Sequence, residues 1–164
     1  MPMSPQEQPS GLPPATPAEL AEWERVIEQW LEAQLADNDC VASIERDPSA
    51  DERRWVVRLE GEEKSFSAVW FHLGQRTLHV ETYFMPAPEE NEARLYEYLL
   101  RRGPKMTGFS FSIGLEDAVY LSGQIPVSWI SDDELDRMLG SVYMYVEHSF
   151  RPAMRIGYAS RFQG

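Results

Sequence analysis

Histidine is the side chain that metal sites and general bases most often use, and the chain has three histidines. His72 and His79 fall in one predicted β-hairpin and on the same predicted face, with Glu81 two residues beyond His79. The expected pairing sets His79 opposite Trp70, and no His-x-His, His-Glu-x-x-His or Cys/His spacing occurs. We therefore expect no metal site, and we assign His148, in the last predicted helix, to a surface or an interface.

The remaining residues give little support for nucleophilic or acid–base catalysis. Cys40 follows the acidic run Asp37-Asn38-Asp39, which disfavours its thiolate. No Gly-x-Ser-x-Gly, dinucleotide-binding or phosphate-loop motif occurs. Adjacent carboxylates stand at predicted helix starts or turns, where capping explains them; the pairs are Asp132-Asp133, Glu89-Glu90 and Glu116-Asp117. The sequence thus predicts a protein that is not an enzyme and that uses no cofactor.

The composition is typical of one acidic globular domain. The 164 residues include 27 acidic and 15 basic side chains, which give a net charge of -12, together with 43% hydrophobic residues and one cysteine. A chain of this length buries enough surface for one core, and the net charge repels phosphate backbones and anionic lipids. No apolar run is long enough for a membrane span, and the first residues do not resemble a leader. We expect a cytoplasmic protein with neither nucleic acid nor membrane as its partner.

The first predicted elements are a lead-in and a helix. Residues 1–15 contain five prolines among polar residues, a composition typical of disorder. A single folded domain is expected over residues 16–164. Thr16-Pro17-Ala18-Glu19 matches a helix N-terminus with a capping box, and apolar residues then recur at helical spacing. This helix is expected to end near Asp37 or Asn38.

An antiparallel meander is predicted next, because the hydrophobic period changes from about 3.6 to 2. The expected strands are residues 40–46, 54–60, 64–73 and 76–84. A two-residue loop at Gly74-Gln75 would place Leu73 opposite Arg76. The same register gives core-face pairs Phe71–Leu78, Val69–Val80 and Ser67–Thr82, and on the opposite face it gives His72–Thr77, Trp70–His79, Ala68–Glu81 and Phe66–Tyr83.

The rest of the chain is predicted to add a helix, a hairpin and a helix. Residues 89–102 form the second helix, and residues 109–113 and 119–125 alternate as strands about a turn at Glu116-Asp117. A capping box at Ser131 opens the last helix, which Pro152 is expected to end or kink. This order of elements predicts an α+β domain.

Aromatic content exceeds what one small domain easily buries, with 5 Trp, 7 Tyr and 7 Phe. The hairpin face away from the core brings together Phe66, Trp70, His79, Glu81 and Tyr83. Such an aromatic surface favours self-association or a partner segment. These residues are our candidate partner or dimer face, in a non-enzymatic protein-binding or regulatory module.

Two alternatives stay open. A small-ligand sensor or enzyme would have a pocket on the same face, lined by Trp70, Tyr83, His79 and Arg76, with the arginine available for an anionic group. Arg151 and Arg155 are weaker candidates for anion contact, because the helix dipole also favours arginine near a helix end. The second alternative is a purely structural subunit of a larger complex.

Four segments of the chain resemble the actinobacterial branch of the YbjN-like family; they are residues 70–78, 81–86, 95–102 and 150–154. Members are described as bacterial sensory transduction regulators, and the resemblance covers roughly residues 18–162. It implies the fold of type III secretion chaperones, an antiparallel sheet with helices packed chiefly on one face in the order α-β-meander-α-ββ-α. It also implies frequent assembly as a homodimer, and it carries over no catalytic residue.

Overall fold

One six-stranded antiparallel sheet organises the computed structural model, which describes residues 11–48 and 52–162. The order across the sheet is β1-β2-β3-β4-β6-β5, so β6 lies beside β4 and β5 forms an edge. The strands are β1 (Val41–Arg46), β2 (Arg53–Glu60), β3 (Phe66–Leu73), β4 (Thr77–Met85), β5 (Phe109–Ile113) and β6 (Val119–Pro126). The predicted meander and the second hairpin are therefore confirmed.

The same described residues form three α-helices, α1 (Pro17–Asp37), α2 (Glu92–Arg102) and α3 (Asp132–Gly157). The capping box of α1 is confirmed: the Glu19 backbone N–H donates to Thr16 Oγ1 at 3.2 Å, and the Thr16 N–H donates to Glu19 Oε1 at 3.0 Å. The side chain of Ser131 caps α3 by accepting from the Glu134 N–H at 3.1 Å.

The start of α2 differs from the prediction, and of the two outcomes expected at Pro152, an end or a kink, the end is not observed. Helix α2 begins at Glu92 rather than residue 89, because the backbone N–H groups of Glu89 and Glu90 donate to the Gly157 carbonyl at 2.9 and 3.1 Å. Helix α3 does not end at Pro152. It continues to Gly157, and Ala153 and Gly157 in its last turns are buried.

All three of these helices pack on one face of the sheet, and the described residues share one core there. Trp30 of α1 meets Phe71 of β3 with ring centroids 5.6 Å apart, and Phe150 of α3 meets Phe84 of β4 at 5.8 Å. Leu95 of α2 is fully buried in the same core. The predicted fold class, an α+β domain with helices on one face of an antiparallel sheet, is confirmed.

The predicted two-residue loop between β3 and β4 is wrong. Leu73 pairs with Leu78, and the Gly74 N–H donates to the Thr77 carbonyl at 2.9 Å, so residues 74–76 form the loop before β4 begins at Thr77. The register therefore shifts by two residues from the predicted one. Because the shift is even, every side chain keeps its predicted face. Its partner changes, however: the observed outer pairs are His72–His79 and Trp70–Glu81.

Contacts with distant segments explain this longer loop. The Ala15 N–H donates to the Gln75 carbonyl at 2.7 Å, and the Val127 N–H donates to the Arg76 carbonyl at 3.0 Å. The Arg76 guanidinium donates to the Leu12 carbonyl. Residues 1–10 of the predicted lead-in lie outside the described residues, whereas residues 12 and 15 make these contacts with the loop.

Candidate functional site

The sheet face that points away from the helices is called the outer face below. The alternation of strands places Phe66 and Trp70 of β3 on it, together with His79, Glu81 and Tyr83 of β4. Its members from the other strands include Glu45, Arg54, Val56, Arg58, Glu60, Ser110, Tyr120, Ser122 and Gln124. The five residues of the predicted partner face thus lie on one surface.

The centre of the outer face is closed. His79 is 4% exposed and Glu81 is 6% exposed. The His79 Nε2 atom lies 3.2 Å from Glu81 Oε2, a hydrogen-bond distance. Trp70, which pairs with Glu81 across the strands, is half-buried and pairs with Val56 on its other side. These central side chains therefore form a packed floor rather than a set of accessible groups.

A second imidazole stands directly opposite the first. His72 is buried and pairs with His79 in the β3–β4 register. Its Nε2 atom lies 3.4 Å from Glu52 Oε2, so each histidine has its own carboxylate. This juxtaposition cannot be predicted from local sequence patterns, because it depends on the register set by the β3–β4 loop.

No metal centre emerges from these groups. Within residues 11–48 and 52–162, no cluster of three or more His, Cys, Asp or Glu is arranged to hold a metal ion. A buried histidine that is hydrogen-bonded to a carboxylate can fix the position of a strand.

The accessible part of the outer face is its aromatic rim, defined here as Phe66 and Tyr83. Phe66 is 63% exposed and Tyr83 is 43% exposed. The Tyr83 ring meets Tyr120 edge-on, with centroids 5.7 Å apart. Burial, followed by the nearby Tyr158, Tyr120 and Glu116 groups, raises the pKa of Tyr83. The phenol therefore stays neutral and able to donate a hydrogen bond at neutral pH.

The three arginines named as anion candidates do not lie together. Arg76 belongs to the β3–β4 loop, where its guanidinium donates to a backbone carbonyl. Arg151 and Arg155 line an open cavity of about 450 Å³, in which Arg151 Nε lies 2.6 Å from Glu63 Oε2. Carboxylates share that cavity with the two arginines; they are Glu62, Glu63 and Glu147. The positive charge is therefore offset locally.

Glu147 is half-buried and makes a contact that no local pattern in the sequence predicts. Its carboxylate accepts from the backbone N–H groups of Glu62, Glu63 and Lys64, at distances from 2.6 to 3.2 Å. Burial acts to raise the pKa of Glu147, but these donors and the Tyr143 hydroxyl outweigh it and lower that pKa. The contact fastens α3 to the β2–β3 turn, which lies next to Phe66.

The amino-acid sequence matches a known protein family. Residues 26–153 match the YbjN family, whose description is "Putative bacterial sensory transduction regulator". The chain belongs to the YbjN family. It is 31% identical over 110 residues to an uncharacterized protein of Mycobacterium leprae, and 32% identical over 108 residues to one of Mycobacterium bovis. Those matches span 67% and 66% of this chain, and only 60% and 59% of the relatives' own length.

A solved structure has the same fold as this YbjN family chain. It is the heterodimeric complex ExoU-SpcU from the type III secretion system of Pseudomonas aeruginosa. The TM-score is 0.54 at 14% sequence identity, and the match covers 77% of this chain and 96% of that chain. The expected type III secretion chaperone-like fold is therefore confirmed. Among the described residues, no helix combines the length and apolar character that a membrane crossing needs.

Proposed function

We propose that this YbjN family member is a non-enzymatic protein-binding module whose contact surface is the outer face of the sheet. The observation that carries the proposal is the position of the helices: α1, α2 and α3 cover one side of the sheet, while the other side exposes Phe66 and Tyr83. Exposed aromatic side chains around a packed floor are typical of protein interfaces. Regulation of sensory transduction, the family's description, is the process that this binding would serve.

A second copy of the chain is one occupant that the charges of this face support. The whole chain has a net charge of -12, which makes most contacts between two copies repulsive. The outer face is different, because Arg54 and Arg58 lie there among Glu45, Glu60 and Glu81. Charges of both signs permit two copies to meet, so a homodimer is part of the proposal.

A cytoplasmic location also belongs to the proposal. The single cysteine supports it, since a fold without an internal disulfide suits a reducing compartment. The alternative of a ligand pocket on this face has weaker support. The cavities of 260 to 450 Å³ described in this structure are lined by residues other than Trp70, His79, Glu81 and Tyr83.

Affinity capture with quantitative mass spectrometry tests the proposal. The immobilised chain is incubated with extract of its native host, to which a differently tagged second copy has been added. The wild type is compared with Phe66→Ser/Tyr83→Ser, which changes the exposed rim. Trp70 is left in place because it packs beside the buried Glu81.

The control is Leu35→Ser, which removes an exposed apolar side chain from α1. We expect the rim variant, and not the control, to lose bound proteins or the second copy by at least about tenfold, a change of 1.4 kcal/mol. Identical sets of bound proteins for the wild type and the rim variant would refute the proposed surface.

A further inference from the structure

An apolar groove lies on the helix side of the sheet, away from the outer face. It runs between α2 and the β5–β6 hairpin and encloses about 330 Å³. Its lining includes Tyr96, Leu99 and Leu100 of α2, with Phe111, Ile113 and Val119 of the hairpin. The volume falls within the range of about 300–1,000 Å³ that is usual for binding pockets.

Large apolar side chains are exposed at this groove. Leu100 is 73% exposed and Ile113 is 53% exposed, although both line the cavity. Leu115, two residues after Ile113, is 61% exposed. Leu100 follows Tyr96 by four residues, so the two side chains lie on the same side of α2. Grouped exposure of this kind marks a binding surface, because isolated solvent-facing leucines do not form a lined cavity.

The mouth of the groove is acidic. Burial, followed by the charges of Glu92 and Asp117, raises the pKa of Tyr96, so both carboxylates act on the hydroxyl at the rim. Asp117 lies in the turn between β5 and β6 and holds a left-handed backbone conformation with φ of 57°. This conformation is uncommon for residues other than glycine, and the turn that adopts it carries the Asp117 carboxylate close enough to act on Tyr96.

The basic residues of α2 do not neutralise the acidic mouth of the groove. Arg101 Nη2 lies 2.9 Å from Glu97 Oε1 within the helix. Arg102 stacks over the Tyr98 ring, with 5.8 Å between its Cζ atom and the ring centroid. Arg94 lies two residues before Tyr96 and hence on a different side of α2.

The negative charge at the mouth of the groove distinguishes between two possible occupants, a second copy of this chain and a segment of another protein. A second copy docked through a two-fold contact would bring the acidic rims of two strongly acidic chains together. We propose instead that this groove binds a segment of another protein that presents apolar side chains flanked by lysine or arginine. The apolar side chains fill the cavity, and the cations meet Glu92 and Asp117. This goes beyond the proposed function, because the groove and the outer face lie on opposite sides of the sheet.

Labelled synthetic peptides with the intact chain test the groove by fluorescence anisotropy. Each of two apolar patterns, leucines at alternate positions and leucines four residues apart, is made with lysine flanks and again with glutamate flanks. We expect at least one lysine-flanked peptide to bind about tenfold more tightly than its glutamate twin. Weak affinity for all peptides up to about 1 mM would overturn the proposal, as would equal affinity of the twins.

Two variants locate the binding site. Leu100→Ser/Ile113→Ser alters exposed positions, so the fold should survive, and we expect it to weaken peptide binding at least about tenfold. Leu35→Ser, an exposed leucine of α1, is the matched control and should leave binding unchanged. Equal binding by the groove variant and the control would overturn the assignment.

Two further variants test whether the carboxylates contribute to peptide binding and whether the groove binds independently of the outer face. Glu92→Gln/Asp117→Asn should bring the affinities of the lysine and glutamate twins to within about threefold of each other; an undiminished preference for the lysine twin would overturn the role of these two carboxylates. Asparagine tolerates the positive φ at residue 117. Phe66→Ser/Tyr83→Ser should bind the peptides like the wild type, so loss of groove binding is distinguishable from loss of outer-face binding.

Discussion

His79 and Glu81 lie two residues apart on β4, and their side chains form a buried hydrogen-bonded pair, with 3.2 Å between Nε2 and Oε2, on the sheet face without a packed helix. Glu81→Ala removes one member of this pair and leaves the imidazole buried. We expect it to lower the free energy of unfolding by about 1–3 kcal/mol, measured by urea denaturation. Glu97→Ala is the control, since its pair with Arg101 is exposed and contributes about 0.5 kcal/mol or less. Equal losses in the two variants would show that burial of the His79–Glu81 pair has no special effect.

Glu147→Gln should destabilise the fold in a pH-dependent way. The carboxylate accepts from the backbone N–H groups of the β2–β3 turn, and charged acceptors contribute about 1.5–3 kcal/mol. The pKa of Glu147 is lowered in the folded chain, so its stabilisation is present above the unfolded value of about 4.5 and disappears as pH falls through the folded pKa. Urea denaturation of the wild type and of Glu147→Gln at pH 7 and at pH 3 measures the contribution of the carboxylate to the free energy of unfolding.

The difference between wild type and Glu147→Gln should therefore be larger at pH 7 than at pH 3. Glu63→Gln serves as the control, because the Glu63 side chain is 40% exposed in its pair with Arg151. A difference that is independent of pH would contradict the assigned role of the carboxylate.

Substitution by alanine should change the stability of the fold in opposite directions at two glycines, Gly123 and Gly140. A Cβ atom at Gly123 would collide with the Gly108 carbonyl oxygen and lie 2.9 Å from Phe109 Cδ1, which forces β5 and β6 apart. Gly123→Ala should cost about 1–3 kcal/mol. Gly140 lies inside α3, and no described atom beyond its own helical surroundings comes within 4 Å of an added Cβ. Gly140→Ala should raise stability by about 0.5–1 kcal/mol. Thermal unfolding of both variants measures whether Gly123→Ala lowers the unfolding temperature while Gly140→Ala raises it.

Trp30 and Asp136 should couple α1 to α3. The buried Trp30 indole N–H donates to Asp136 Oδ1 at 2.7 Å, across the gap between the two helices. A double-mutant cycle of Trp30→Phe and Asp136→Ala should give a coupling free energy of about 0.5–3 kcal/mol. Additive single losses would mean that the hydrogen bond does not join the helices energetically.

Local signals in the sequence predicted most of the elements. The cap at Thr16 and the alternation of strands 40–46 to 76–84 depend on neighbouring residues only, and both were confirmed. The assignment of side chains to the two faces of β3 and β4 also held, since it requires only the period of two. The YbjN resemblance rested on matching segments, and the family match bears it out.

Features that depend on distant contacts were not predictable. The β3–β4 register follows from a loop that contacts Leu12, Ala15 and Val127, far away in the sequence. The pairing of His72 with His79 follows from that register. The continuation of α3 past Pro152 depends on burial of its last turns. The groove was not predicted, because Leu100 and Ile113 line one cavity only after α2 folds against the hairpin.

Hydroxyl-radical footprinting of Phe66 and Tyr83 tests the central claim most directly. Their oxidation rates are compared between the dilute purified chain and the complex captured from native extract, with the exposed Trp129 and Phe162 as internal references. The account predicts that binding protects Phe66 and Tyr83 at least about threefold relative to the references, as expected for side chains buried in an interface. Unchanged rates at both residues in a complex that protects other parts of the surface would contradict the outer face as the binding surface.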